Sequence, residues 1–221
     1  MKLIEPSLLA FSKNTVELQQ ELNLLKKQNI KSIHYDVMDG LFVNNTAFEG
    51  EFIDLIYQNK FTITVHLMVQ DVQAYVNKFL KYPIKALTFQ CEAIDIKLAT
   101  KILRKIRVKN VMAGIALKPK TDIQTYASLY EKIDLITLMS VEPGKGGQLF
   151  ISESTRKVRE LRNVLPKKVI IQMDGGLNDI NSFLVKKDVD WFVMGTFSKE
   201  NINKLKKIQE HIKNSNLLKK I

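Results

Sequence analysis

The sequence predicts an α/β chain folded as a single (β/α)8 barrel over residues 1–221. Three observations carry that expectation. Short apolar runs alternate eight times with longer amphipathic runs, from end to end. Eight such units in 221 residues give about 28 residues each, close to the lower limit for such barrels. Seven of the nine glycines fall just after the second, sixth, seventh and eighth apolar runs, where a barrel places its reactive face.

The strand-like runs, in order, are Lys2 to Leu9, Ser32 to Met38, Phe61 to Met68, Ala86 to Phe89, Val111 to Leu117, Leu135 to Met139, Val169 to Met173 and Trp191 to Met194. Each is rich in β-branched or aromatic residues, which suit a pleated sheet. Helical spacing fills the gaps. Val16, Leu18, Leu22 and Leu25 repeat against Glu17, Gln20, Glu21, Lys26 and Lys27, and Val158, Leu161, Val164 and Leu165 repeat until Pro166 ends the pattern. A doubly wound open sheet is the competing topology. It would carry a glycine-rich turn after the first strand, and residues 9 to 15 contain no glycine. No linker or low-complexity segment divides the chain.

Composition bounds the function. With 45% hydrophobic and 26% charged residues the chain has the balance of a globular domain. No stretch approaches 18 uninterrupted apolar residues, so no membrane association is expected. A lone cysteine, Cys91, excludes an internal disulfide, and Glu5 and Pro6 interrupt any apolar leader, so a cytoplasmic location is expected. The net charge of +11 raises the question of a polyanion partner. Lysines are spread along most of the expected helices, however. Their densest cluster, Lys199 to Ile221, sets seven Lys against two Glu on a terminal helix and reads as a solvated face, so no nucleic-acid partner is expected.

The glycines Gly40, Gly144, Gly146, Gly147, Gly175, Gly176 and Gly195 follow strand-like runs, and those after the last three runs stand where barrels of this kind hold a phosphate. A side chain at Gly146 or Gly195 is expected to fill phosphate space and to disfavour the backbone geometry. Two of the three histidines end strands: His34, and His66 in Val65-His66-Leu67-Met68. His211 falls in the terminal helix and reads as a surface residue. Alternate strand residues share a face, so His34, Asp36 and Met38 point one way, as do His66 and Met68. A lone strand histidine usually sits satisfied in a core. Two of them with Asp36 and Asp174 at matching strand ends form an N2O2 set suited to one divalent metal ion, Zn²⁺, Fe²⁺ or Mn²⁺.

Four segments taken together resemble the signature segments of the ribulose-phosphate 3-epimerase family. They are His34-x-Asp36-x-Met38-Asp39-Gly40, His66-Leu67-Met68, Met139-x-Val141-x-Pro143-Gly144-x-Gly146-Gly147-Gln148 and Asp174-Gly175-Gly176. The similarity runs from Pro6-Ser7 to Gly195-Thr196, with the motifs in order on the expected strands. It implies a ribulose-phosphate-binding barrel that interconverts D-ribulose 5-phosphate and D-xylulose 5-phosphate, a step of the pentose phosphate pathway, by inversion at C3. The resemblance also implies metal ligation by His34, Asp36, His66 and Asp174, and acid/base roles for Asp36 and Asp174. Ser7, His34, His66 and Asp174 are implied in substrate contact, as are Gly144, Lys145, Gly146, Gly147, Gly175, Gly176, Gly195 and Thr196. Met38, Met68 and Met139 would line the reacting region, although on position alone they serve equally as core filling. Relatives form dimers or hexamers, so a homo-oligomer is expected.

The chemistry accounts for that layout. Inverting a carbon beside a ketone removes a proton from one face and returns one to the other, so two acid/base groups must flank it. The intermediate is an enediolate, whose charge a divalent ion stabilises as a Lewis acid. The sequence departs from the family pattern at Lys145, where a Phe is usual, at Thr196 for Ser, at Gln90 for a common histidine, at Asn44-Asn45, and at Phe48-Glu49-Gly50. None is a proposed ligand or acid, and Lys145 brings a cation beside the expected phosphate. Rival readings are 3-epimerisation of a related ketose phosphate such as D-allulose 6-phosphate, a phosphate-binding decarboxylase or lyase, and a non-enzymatic polyanion-binding protein. The decarboxylase or lyase would need a strand-end lysine, and none accompanies Asp36.

Overall fold

The structure of the protein, a computed structural model, describes residues 2–214. The last part of the basic terminal cluster, residues 215–221, lies outside the described residues. Among the described residues there are nine strands: β1 Leu3–Pro6, β2 Ser32–Asp39, β3 Thr46–Ala47, β4 Thr62–Met68, β5 Ala86–Gln90, β6 Met112–Leu117, β7 Leu135–Met139, β8 Ile170–Asp174 and β9 Trp191–Met194. All but β3 are parallel and lie in the order β1-β9-β8-β7-β6-β5-β4-β2. The curled sheet brings β1 back beside β2, where a parallel bridge joins Ser7 to His34. This is the expected barrel. The short β3 adds antiparallel to the end of β2, which the sequence did not signal.

The α-helices are α1 Thr15–Lys27, α2 Ile53–Gln58, α3 Val72–Phe79, α4 Ile96–Val108, α5 Ser154–Val164, α6 Asp179–Val185, α7 Thr196–Glu200 and α8 Leu205–Lys213. Several begin at side-chain caps that satisfy otherwise unpaired amides. Asn14 accepts from the N–H groups of Val16 and Glu17, Asp71 from that of Ala74, and Asp95 from that of Leu98. Helix α1 buries Leu18, Leu22 and Leu25, while Val16, two residues off that stripe, is exposed. Val164 on α5 is likewise exposed.

Two stretches differ from the sequence expectation. The first strand ends at Pro6 rather than Leu9, because Leu8–Ala10 winds into a 3₁₀ turn. After β6 the chain forms a 3₁₀ segment, Ile123–Lys132, kinked at Tyr126, in place of an α-helix. That connection is short, and 3₁₀ winding spans about 2.0 Å per residue against 1.5 Å in an α-helix.

Inside the barrel the strands stack side chains in layers. At the N-terminal end Leu3, Ala86, Leu135 and Trp191 form a small apolar cluster. Above it the lining turns polar, with Glu5, Ser32, His34, Thr64, Thr137 and Gln172 all buried. The outward residues Ile33, Tyr35, Val37, Ile63, Val65 and Leu67 join the main apolar core under the helices.

Candidate active site and metal centre

The register of β2 on β4 pairs His34 with Thr64 and Asp36 with His66. Asp174 is the last residue of β8, one position beyond the end expected from the sequence. Strand alternation thus delivers two imidazoles and two carboxylates to one point. His34 Nε2 lies 3.3 Å from Asp36 Oδ1 and 3.6 Å from Asp174 Oδ2. His66 Nδ1 lies 3.3 Å and 3.5 Å from the same two oxygens. All four ligand atoms fall within 4.8 Å of one another.

Those two ring nitrogens are the informative atoms. Both are buried, and neither has a hydrogen-bond partner among the described residues. Buried polar atoms normally find one, and two orphans facing the same carboxylate oxygens fit a group that bonds to all four. The four residues form a site fit for a metal ion. Without one, charge must be balanced by protons. Burial opposes a positive His34, but Asp36 beside it prevails and raises His34 to about 9. Burial likewise opposes a charge on His66, and the carboxylates of Asp174 and Asp36 beside it raise it nonetheless. Burial would push Asp36 up, yet His34 and His66 together hold it well below the usual carboxylate range.

The outer ring nitrogens are held as well. His34 Nδ1 sits 3.2 Å from Thr64 Oγ1, and His66 Nε2 sits 3.0 Å from the side-chain nitrogen of Gln90. Ser7 donates its hydroxyl to Asp36 Oδ2 at 2.7 Å. Gln90, Thr64, Gln172 and Glu5 were not singled out from sequence as supports. The alternation of polar residues along their strands was the available signal, and only the barrel register turns it into contacts.

Above this centre opens a cavity of about 560 Å³. Its wall includes Ser7, Asp36, Asp174, Met38, Met68 and Met139. Gly144, Lys145, Gly146, Gly147, Gly175, Gly176, Gly195 and Thr196 line its other side. His34 and His66 are fully buried and do not line it. Phe150, Asn178 and Asn181 line it too, without having been anticipated. The loop after β7 is folded on itself by Gln148, which donates to the carbonyls of Glu142 and Lys145 at 2.7 and 2.9 Å. Asn45 ties it to the loop after β2 by donating to the Gly144 carbonyl at 2.9 Å.

The glycines divide into two kinds. Gly176 has φ +63°, and a Cβ there would lie 2.6 Å from the Phe150 nitrogen, so the backbone demands glycine. Gly146 is different: its φ is not positive, and a Cβ would meet nothing within 4 Å. Gly195, with φ −86° and ψ −101°, would bring a Cβ into only ordinary contacts at 3.8 Å. The expectation that the backbone itself requires glycine is therefore corrected at Gly146.

The model of the ribulose-phosphate 3-epimerase family matches residues 3–199. A ribulose-phosphate 3-epimerase of Mycoplasma genitalium is 37% identical over 171 residues, covering 77% of this chain and 80% of that protein. One from Mycoplasma pneumoniae is 34% identical over 192 residues, covering 85% and 87%. Among solved structures, the tryptophan synthase alpha-subunit of Pyrococcus furiosus superposes with a TM-score of 0.68 at 13% identity, covering 96% of this chain and 94% of that one. At that identity the likeness concerns the fold alone.

Proposed function

The chain belongs to the ribulose-phosphate 3-epimerase family, and we propose that Asp36 and Asp174 are the two groups that exchange the C3 proton between D-ribulose 5-phosphate and D-xylulose 5-phosphate. The observation that carries this reading is the division of labour between carboxylate oxygens. Asp36 Oδ1 and Asp174 Oδ2 face the orphaned imidazole nitrogens, while both residues also reach the cavity wall. The second oxygen of each, Asp36 Oδ2 with its Ser7 hydrogen bond and Asp174 Oδ1, is the one assigned to substrate.

The inversion needs one proton carrier on each side of C3. In one direction Asp36 takes the proton at Oδ2 while Asp174 returns one at Oδ1; in the other the roles exchange. The Ser7 hydroxyl, donated to Asp36 Oδ2, holds that oxygen in place. Met38, Met68 and Met139 keep the wall around the reacting carbon apolar, excluding water that would quench the enediolate. His34, Asp36, His66 and Asp174 would hold a divalent ion, which would supply positive charge to stabilise an enediolate and would disfavour protonation of both carboxylates at once. On the far side of the cavity, Gly144, Lys145, Gly146, Gly147, Gly175, Gly176, Gly195 and Thr196 receive the phosphate, with Lys145 adding charge.

Zn²⁺, Fe²⁺ and Mn²⁺ suit this donor set. A single domain, a cytoplasmic location and a dimer or hexamer complete the reading; light scattering on purified protein tests the assembly. The decisive experiment is turnover in heavy water, with deuterium expected at C3 of the epimerised product. Inversion of D-ribulose 5-phosphate without solvent deuterium at C3 would overturn the proton-exchange mechanism. Equal turnover of unphosphorylated ribulose would overturn the phosphate assignment.

A further inference from the structure

Glu5 is fully buried inside the barrel, outside the cavity wall and outside the donor set. Its partners are all neutral: Ser32 and Gln172 donate to it at 2.5 Å each, and Thr64 donates its hydroxyl to Oε1 at 3.3 Å. Burying a carboxyl group is costly unless it is well hydrogen-bonded, so a glutamate here asks for a reason. The reason lies one contact away. Thr64 Oγ1 also meets His34 Nδ1 at 3.2 Å.

A threonine hydroxyl has one proton to give. If Thr64 gives it to Glu5, its oxygen can only accept from His34, so Nδ1 carries a hydrogen and the neutral ring leaves Nε2 bare. Nε2 is the orphaned atom facing Asp36 and Asp174. Gln172 poses the opposite possibility, since its amide nitrogen lies 3.5 Å from Nδ1. That contact is at the limit of a hydrogen bond. The Gln172 oxygen meanwhile accepts from Thr137 at 2.6 Å, which turns its nitrogen toward Glu5.

We propose that Glu5 is a positioning residue that, through the Thr64 hydroxyl, fixes His34 in the tautomer presenting a bare Nε2 to the metal centre. This rests on the reading of His34 as a metal ligand. A partner on the outer nitrogen typically governs metal affinity by 10- to 100-fold. Here the partner is a hydroxyl backed by a carboxylate, and the carboxylate comes from the first strand, 29 residues before His34 in sequence.

The test measures Zn²⁺ affinity of the full chain by competition with a chromophoric chelator. Glu5→Gln and Thr64→Val should each weaken binding by about 10- to 100-fold, and Thr64→Ser should restore it. The double variant should be no weaker than the weaker single, because both act along one chain of bonds. Unchanged affinity in Thr64→Val, or additive losses in the double variant, would overturn the proposal. His34→Ala separates the two levels: if it retains wild-type affinity, the ligand reading itself fails, whereas loss in His34→Ala with none in Thr64→Val defeats only the role of Glu5. Should Glu5→Gln fail to fold, nitrogen NMR of the metal-free wild-type protein, taken above the pH at which the His34 ring loses its second proton, decides independently. A proton on His34 Nδ1 supports the proposal, and one on Nε2 overturns it.

Discussion

The wall built by β2 and β4 carries its chemistry as side chains fixed at strand positions, whereas the opposite wall, built after β7, β8 and β9, carries it as glycines and turns. His34, Asp36 and His66 alternate with outward residues locked in the apolar core, so their direction is set by the pleat. Gly144 to Gly147 and Gly175 to Gly176 are shaped instead by local hydrogen bonds such as those of Gln148 and Asn181. The difference teaches where each wall is vulnerable. On the strand side a substitution removes a charge or a ligand without moving the backbone; on the loop side its effect depends on the φ angle and free space at that one residue.

The largest effect should come from the strand-borne acids. Asp36→Asn or Asp174→Asn should lower kcat by at least 10²- to 10⁴-fold in an assay of C3 inversion. Near-normal turnover by either variant with metal content unchanged would break the two-carboxylate account. Next come His34→Ala and His66→Ala, expected to strip most bound metal, as read by elemental analysis of protein purified without chelator, while circular dichroism stays that of the folded barrel. On the loop side, Gly176→Ala should raise KM for the sugar phosphate and destabilise the fold by about 1–3 kcal/mol, because it forces a side chain into a left-handed backbone against Phe150. Denaturant midpoints and KM together check it.

A smaller effect is expected at Asp39, on the rim of the strand wall, which accepts from the N–H groups of Leu41, Phe42 and Gln70. Burial raises its carboxyl, and those amides hold it below its ordinary value of 3.8. A depressed carboxylate contributes stability that is present above that ordinary value and is lost as pH falls through the lower folded one. Asp39→Asn should therefore remove part of the acid-side loss of stability and leave its slope near neutrality unchanged, as followed by thermal melts across pH. The smallest effect is Gly146→Ala, with open space around it: stability within about 0.5 kcal/mol of wild type. A large destabilisation there would erase the distinction between the two kinds of glycine.

Legibility in the sequence followed the same division. The period-two placement of His34, Asp36 and Met38 was readable because strand geometry depends on neighbours in the chain, and Asp174 followed from the end of another apolar run. Glu5, Thr64 and Gln172 were not readable as a group. Their contacts depend on how β1, β4 and β8 meet across the barrel, which no local pattern encodes. Gln90 was visible only as a departure from the family pattern; the fold turns it into a partner of His66 at 3.0 Å. Glycine clustering located the loop wall correctly, but counting glycines could not tell Gly176, with φ +63° against Phe150, from Gly146 in open space. The 3₁₀ segment Ile123–Lys132 escaped for a related reason, since apolar spacing does not distinguish a kinked 3₁₀ run from an α-helix over so few turns.

The seam between the first and second barrel strands has a kinetic consequence. Among the described residues, β1 and β2 are joined in the sheet by the Ser7–His34 bridge, and Ser7 also holds Asp36. Closing the barrel and assembling the reactive centre are therefore one event. A chain whose first strand has peeled away retains the other parallel pairings but loses the Ser7 contact to Asp36 and the Glu5 contact to Thr64. Any ligand that needs the assembled centre then acts as a clasp on the seam. It slows opening and raises the free energy of that sub-global unfolding by its own binding free energy. Amide hydrogen exchange at Ser7 and along β1 should consequently slow on adding the metal, while exchange confined to the outer helices should not.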